Sequence, residues 1–427
     1  MTTEGSTVRA LARTDDTAVV PLSRNREYNI LWISNVLSQL GSQATLFAYP
    51  LLVLGLTGSV LQASLVEFAV ATTRFVVGLP GGALVDRMSR RRVMLWSEAS
   101  RAVALALLAV AVALGNTPFA LIMAVAVVEG TATALFNAAD QALLPEVVPR
   151  TQLAAAVARN TARYHVATIV GPGLGGLLYG LLRMLPFATQ AVSSLVSLGA
   201  LLFLRVPKRA GPSAVRPSEG LLKSVGTGLR WMYGHRLVRV TVLLTTGFNL
   251  VFSALLLAAI AIAQQAGQSA AETGTIGVLL GVGGVLGALV APRLRRVLTP
   301  YAALTTLSWA AVALVPLLAV VEPGYPFGLV LGSMAFLAPT ATAIVSTHQL
   351  LSTPAEMRGR LAGAIGVTLS TAAALGPMAG GVLLETVGRV PTVLACAGAL
   401  LALAIAATVS TSVRSHPRLE ELEAAEG

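Results

Sequence analysis

Long apolar runs separated by short polar stretches make up most of the chain. A helix needs about 20 mostly apolar residues to cross the hydrocarbon core of a bilayer. Runs of that length predict twelve transmembrane spans: 28–54, 60–85, 93–114, 118–143, 152–182, 186–205, 237–264, 273–291, 300–321, 326–349, 357–384 and 391–411. The pattern therefore predicts an all-α integral membrane protein.

The second half of the chain repeats the first. An ungapped shift of 205 residues matches three sets of residues: Gly78-x-x-x-Gly82 with Gly283-x-x-x-Gly287, Arg90-Arg91 with Arg295-Arg296, and Gly171-Pro172-x-x-Gly175-Gly176 with Gly376-Pro377-x-x-Gly380-Gly381. A repeat of this kind is typical of transporter folds and predicts two pseudo-symmetric six-helix halves.

The repeat and the polar stretches divide the chain into five regions. We expect tails at 1–27 and 412–427, six-helix halves at 28–205 and 237–411, and a linker at 206–236 that carries an amphipathic helix. The linker helix is expected because apolar residues recur at helical spacing from Leu221 to Trp231.

Charge placement predicts the orientation. Hydrophobic residues make up 55% of the 427 and charged residues 11%, yet the net charge is +11. The arginines and lysines cluster in alternate loops, which excludes a continuous nucleic-acid-binding face and predicts cytoplasmic termini and a cytoplasmic linker.

Enzyme and metal chemistry have no support in the sequence. One cysteine, Cys396, and four histidines far apart in the chain give no metal-ligand spacing, and no nucleophile or phosphate-binding motif is present. We therefore expect no catalytic residue, no cofactor and no metal site.

The loop after the second span carries the most specific motif. Its residues run Gly82-Ala83-Leu84-Val85-Asp86-Arg87-Met88-Ser89-Arg90-Arg91, with Ser89 where the pattern usually has a glycine. This segment resembles the signature of the major facilitator superfamily. Together with Gln39-Leu40-Gly41 and Leu143-Leu144-Pro145, it resembles the bacterial drug and siderophore exporters of that superfamily.

The resemblance implies a twelve-helix transporter in the bacterial inner membrane. It also implies a conformational latch formed by five residues, Gly82, Asp86, Arg87, Arg90 and Arg91. Asp86 would accept charge-assisted hydrogen bonds from a neighbouring helix in one gating state only. The alternative is that the arginines only set topology.

Two Gly-Pro-x-x-Gly-Gly motifs are expected to bend the fifth and eleventh spans. Glycines four apart let helix backbones approach closely, and a proline removes one helical hydrogen bond. The residues are Gly171, Pro172, Gly175 and Gly176, and Gly376, Pro377, Gly380 and Gly381. Close packing and a bend that moves during transport are both open as their role.

Ionisable residues at membrane depth are candidates for function because burying them is costly. Glu67, Arg74, Glu129 and Arg163 are the candidates for proton coupling, with static ion pairing as the alternative. Related drug:proton antiporters usually have an arginine four residues before the fourth-span glycine, whereas Ala126 precedes Gly130 here. Their coupling mechanism therefore cannot be transferred.

A polar stripe on the first span completes the candidate site. Asn35, Gln39 and Gln43 follow one another at spacings of four and are expected to face a substrate cavity. The expected function is proton-driven export of a hydrophobic or amphipathic small molecule by a monomer whose partners are the substrate, protons and lipid. A metabolite importer and a membrane scaffold or sensor without transport remain alternatives.

Overall fold

The computed structural model describes residues 21–205, 221–354 and 356–410. The predicted tails and most of the predicted linker therefore lie outside the described residues. All regular structure in the described ranges is helical, and the first half contains α1 (Arg26–Thr57), α2 (Val60–Arg87), α3 (Arg90–Ala113), α4 (Phe119–Val147), α5 (Leu153–Leu181) and α6 (Leu185–Leu202).

The second half has the same order of helices. The linker helix is α7 (Leu221–Gly234), and it is followed by α8 (Arg236–Gln265), α9 (Ala270–Val297), α10 (Pro300–Leu314), α11 (Leu317–Val320), α12 (Tyr325–Leu351), α13 (Arg358–Val387) and α14 (Arg389–Val409). Short α10 and α11 together fill the predicted ninth span, interrupted at Pro316.

The predicted all-α membrane fold is confirmed. Among the described residues, eleven helical segments are long and apolar enough to cross a membrane. The remaining long helix, α5, has 29 residues and packs among them, but its first half carries Arg159 and Arg163. Local rules explain where helices begin, since Ser59, Ser89, Ser269 and Thr299 each cap a helix by accepting a backbone N–H.

Helix packing follows the expected two-fold relationship. In the first half α1 packs on α5 and α2 on α4, and in the second half α8 packs on α13 and α9 on α12. Between the halves, α2 packs on α13 and α5 packs on α9. The corresponding helices of the two halves therefore have corresponding neighbours.

The repeat is not in one register throughout. Helices α5 and α13 begin at Leu153 and Arg358, 205 residues apart, as the sequence match requires. Helices α2 and α9 begin at Val60 and Ala270, 210 residues apart. The ungapped shift thus relates the later helices of each half correctly and is five residues out for the earlier ones.

That offset gives the matched glycines of α2 and α9 different surroundings. A side chain at Gly283 or Gly287 would overlap the backbone of α12, whereas no atom lies within 4 Å of a Cβ position at Gly78 or Gly82. The similarity of these two segments therefore does not reflect a shared packing role.

Candidate functional site

A cavity of about 410 Å³ lies between the two halves. Its polar lining residues are Gln43, Glu67, Arg74, Thr168, Ser253 and Ser370. The remaining lining residues are apolar and include both motif prolines, Pro172 and Pro377. Both charged residues belong to α2, so the second half contributes an uncharged wall to the cavity.

Close contacts join the two halves at one end of the cavity. Gly176 of α5 lies against Gly274 of α9, and Gly381 of α13 lies against Ser64 of α2, where a Cβ at Gly381 would be 2.7 Å from the serine Cβ. Farther from this end along α9 and α13, a Cβ at Gly284 or Gly366 would meet no atom within 4 Å. We call the contact end the closed end; it carries the α1–α2 and α13–α14 turns.

The Gly-Pro-x-x-Gly-Gly motifs are in contact with two partners each. Gly175 packs against the backbone of Ala44 in α1, and the corresponding Gly380 packs against Ala254 in α8, both within one half. Their neighbours Gly176 and Gly381 pack across the interface instead. Each motif therefore fixes a helix to its own half on one side and seals the closed end on the other.

Glu129 lies at the centre of a buried hydrogen-bond network. Its carboxylate accepts hydrogen bonds from the hydroxyl of Tyr49 at 2.8 Å and from that of Ser42 at 3.2 Å. The guanidinium of Arg74 donates to the Ser42 hydroxyl at 3.3 Å. Ser42 thus links the Arg74 guanidinium in the cavity wall to the buried carboxyl group of Glu129.

Glu67 has a different environment. Its side chain is half-buried in the cavity wall and forms no hydrogen bond or ion pair with the residues that the structure describes. The sequence placed Glu67 and Arg74 on one face of a helix, and both do line the cavity. Glu67 is consequently available to a substrate or a proton.

Arg163 is paired with an acid that the sequence interpretation did not single out. Its Nη2 lies 4.0 Å from Oδ2 of Asp140, and both side chains are buried. Asn35 donates to Oδ1 of Asp140 at 2.8 Å. Asp140 follows Glu129 by eleven residues, or three helical turns, which places both acids on one face of α4. That spacing is the sequence signal from which Asp140 could have been identified.

The polar stripe of α1 therefore separates into different environments. Gln43 lines the cavity, whereas Asn35 is fully buried against Asp140 and does not reach the cavity in this conformation. Gln39, between them, is partly exposed. Spacing of four kept these residues near one face, but neighbouring helices cover part of that face.

A second ion pair lies inside the first half. The guanidinium of Arg101 is 3.2 Å from the carboxylate of Glu98 one turn earlier, and both side chains are almost completely buried. Arg101 also donates to Ser38 at 2.5 Å and to Thr133 at 3.1 Å. Arg101 therefore connects α1, α3 and α4.

Two of the predicted latch residues, Arg90 and Arg91, form hydrogen bonds to other helices of the first half. Arg90 donates to Glu146 of α4 at 2.7 Å, and Arg91 donates to the carbonyl of Leu201 in α6 at 3.0 Å. Gly82 is exposed. The side chains of Asp86 and Arg87 lie outside what the structure describes, so the predicted role of Asp86 stays a prediction.

Two six-helix halves around a central cavity, with this loop motif, define a transporter of the major facilitator superfamily. The family described as "transmembrane secretion effector" matches residues 16–425. The chain belongs to this family and is a multi-pass membrane protein, not an enzyme.

Relatives cover most of the chain. It is 28% identical over 398 residues to the multidrug efflux pump Tap of Mycolicibacterium fortuitum, covering 90% of this chain and 94% of that protein. It is 27% identical over 329 residues to the enterobactin exporter EntS of Escherichia coli O1:K1 / APEC, covering 74% and 75%.

Solved structures share the fold at lower identity. The nucleoside transporter NupG superposes with a TM-score of 0.68 at 14% identity, covering 92% of this chain and all of that one. A bacterial homologue of the iron transporter ferroportin, in its inward-facing state, gives a TM-score of 0.67 at 18% identity, covering 90% and 98%.

Proposed function

We propose that this protein exports a hydrophobic or amphipathic small molecule by alternating access, driven by the proton gradient. The observation that carries the proposal is the cavity of about 410 Å³ between two halves whose close glycine contacts with each other lie toward one end of the described helices. A drug-sized ligand fits a site of that volume. Separation of the halves at the closed end would release the ligand on that side.

The lining of the cavity indicates the chemistry of the cargo. Apolar side chains of leucine, isoleucine, valine, alanine, phenylalanine and proline form most of the wall, and Glu67 is its one charged group without a protein partner among the described residues. An apolar body with one polar or cationic group complements such a site. The names of the relatives, a multidrug efflux pump and an enterobactin exporter, support export of an organic small molecule.

The orientation of the chain in the membrane determines from which side a substrate enters the cavity. Arg87 ends α2, and Arg90, Arg91 and Arg92 begin α3, at the end of the molecule opposite the closed end. Arginines in such clusters are retained on the cytoplasmic side. We therefore place both termini and the 206–236 linker in the cytoplasm of a bacterium, with halves at 28–205 and 237–411. The structure would then be open to the cytoplasm, ready to load cargo for export.

Proton coupling would use carboxylates whose surroundings change between the two access states. Glu129 is linked through Ser42 to Arg74, and Arg74 lines the cavity that must change shape during transport. Movement of α2 relative to α1 would weaken this link and change the proton affinity of Glu129. Glu67 can exchange its proton directly with the cavity.

A susceptibility test addresses the function. The chain would be expressed in an efflux-deficient bacterium and tested against a panel of amphipathic antibiotics, with accumulation measured before and after adding a protonophore. We expect raised resistance to at least one compound and lowered accumulation that the protonophore abolishes. Increased accumulation would indicate a metabolite importer, and no change with any compound would indicate a scaffold or sensor.

A further inference from the structure

The start of α2 is completed by a residue from the other half of the molecule. The first N–H groups of any helix have no partner within the helix and attract anions. The Leu61 backbone N–H donates to the carboxylate of Glu385 in α13 at 2.5 Å. The Ser59 hydroxyl donates to the same carboxylate at 3.0 and 3.1 Å.

The corresponding helix of the second half supplies its own anion. At the start of α9, Ser269 and Glu272 form a reciprocal capping box, in which Glu272 accepts from the Ser269 N–H at 2.8 Å. In α2 the residue in the place of Glu272 is Gln62, which makes no such bond, and the Ser59 N–H donates instead to Thr57. The α2 terminus therefore lacks an acid of its own.

The approach of α13 to α2 depends on the glycine motif. Gly381, one turn before Glu385, lies directly against Ser64 and Val60 of α2. At the related contact between α5 and α9, the residue one turn after Gly176 is Gly180, which has no side chain to offer. The capping carboxylate is thus present in one of the two symmetry-related contacts.

We propose that Glu385 is the latch of the closed end, where it caps α2 across the interface and favours the conformation in which the halves touch there. The contact joins α13 of one half to α2 of the other, so it must break whenever that end opens. This inference rests on the proposed alternating access. It predicts that removing the charge shifts molecules toward opening of the closed end.

The test measures the separation of the halves directly. Spin labels would be placed at Asn116→Cys and Glu322→Cys, exposed positions in the closed-end loops of the first and second halves. The buried Cys396 would be replaced by alanine, and distances measured by electron paramagnetic resonance in lipid nanodiscs. Glu385→Gln should raise the ratio of long to short distances by about three- to tenfold, as loss of a charge at a helix terminus would.

Glu272→Gln is the matched control. It removes a carboxylate from the start of the related helix, but that carboxylate binds within α9 and not across the interface. We expect its distance distribution to match the parent. Equal shifts of the distance distribution in both variants, or no shift in Glu385→Gln, would overturn the proposed role of Glu385 at the closed end.

A disulfide separates failure of the latch from failure of the proposed function. Ser59→Cys with Glu385→Cys in the same Cys396-free background should block transport when oxidised and restore it when reduced. If the bridge blocks transport but Glu385→Gln leaves the distances unchanged, alternating access stands and Glu385 is not the latch. If the oxidised bridge leaves transport intact, the closed end need not open and both proposals fail.

Discussion

The two halves of the molecule share an architecture and differ in their buried chemistry. Among the side chains that the structure describes, the buried charged residues of the first half are Glu98, Arg101, Glu129, Asp140 and Arg163. The buried polar side chains described in the second half are uncharged or histidine: Thr241, Thr273, Ser308, Thr340, His348, Gln349, Thr353 and Thr392. Because a buried ion is costly in a membrane, the charged residues that the structure describes as buried make the first half the place to look for electrostatic roles.

The helix ends show the same division of roles. Helix α9 caps itself through Ser269 and Glu272, whereas α2 takes its anion from Glu385 of the other half. Pseudo-symmetry therefore conserves the contacts between helices while allowing individual side chains to act on one side only. The comparison leads to four predictions.

The largest expected effect comes from breaking the buried pair in α3. Arg101→Ala leaves Glu98 buried without its cation and should lower the free energy of unfolding by about 3–5 kcal/mol. Ser308→Ala in the second half removes a hydroxyl bonded only within its own helix and should cost under about 1 kcal/mol. Denaturant unfolding of the purified proteins measures both changes in stability. Equal losses of stability in the two variants would contradict the proposed difference between the halves.

Next in size is the packing of the glycine motifs. Valine at Gly175 or at Gly380 would collide with α1 or α8, respectively, and each should cost about 1–3 kcal/mol. Gly284→Val, at a helix position where a Cβ would meet no atom within 4 Å, serves as the control. Similar losses at Gly175 and Gly380 in thermal unfolding would support equivalent packing in the two halves, and a loss at one alone would show that their packing differs.

Coupling should be affected by the first-half carboxylates. Glu67→Gln and Glu129→Gln imitate the protonated acid, so each should lower gradient-driven accumulation in vesicles by about tenfold while sparing downhill exchange. Glu322→Gln, at an exposed loop of the second half, is the control. Full pumping by both glutamine variants of the first half would assign these carboxylates a structural role.

The smallest expected effect concerns the loop after α2. Asp86→Asn should reduce efflux about two- to fourfold at normal expression, because it would weaken the contact that we predict for Asp86 in one gating state. Arg92→Ala, expected to act on topology alone, should leave efflux unchanged. Drug accumulation in cells measures both, and equal behaviour of the two variants would make Asp86 a topology residue.

Much of the fold could be predicted from the sequence because crossing a membrane is a local requirement. Each span needs its own apolar length, and the predicted ends differ from the observed helix ends by at most six residues, the largest difference being at Val297. The Gly-Pro-x-x-Gly-Gly match likewise identified the related helices α5 and α13. These features depend on residues close together in the chain.

Partners distant in the chain were decided by the tertiary structure. Sequence spacing placed Asn35 and Gln43 near one face of α1. Because α4 packs over part of that face, Asn35 donates a hydrogen bond to Asp140, whereas Gln43 lines the cavity. Arg163 was open to pairing with either glutamate, and Asp140 is its neighbour. Glu385 lies 326 residues from Ser59, and only the approach of α13 to α2 at Gly381 joins them. The sequence determines which groups must find a partner in the membrane, and helix packing determines which partner is within hydrogen-bonding distance.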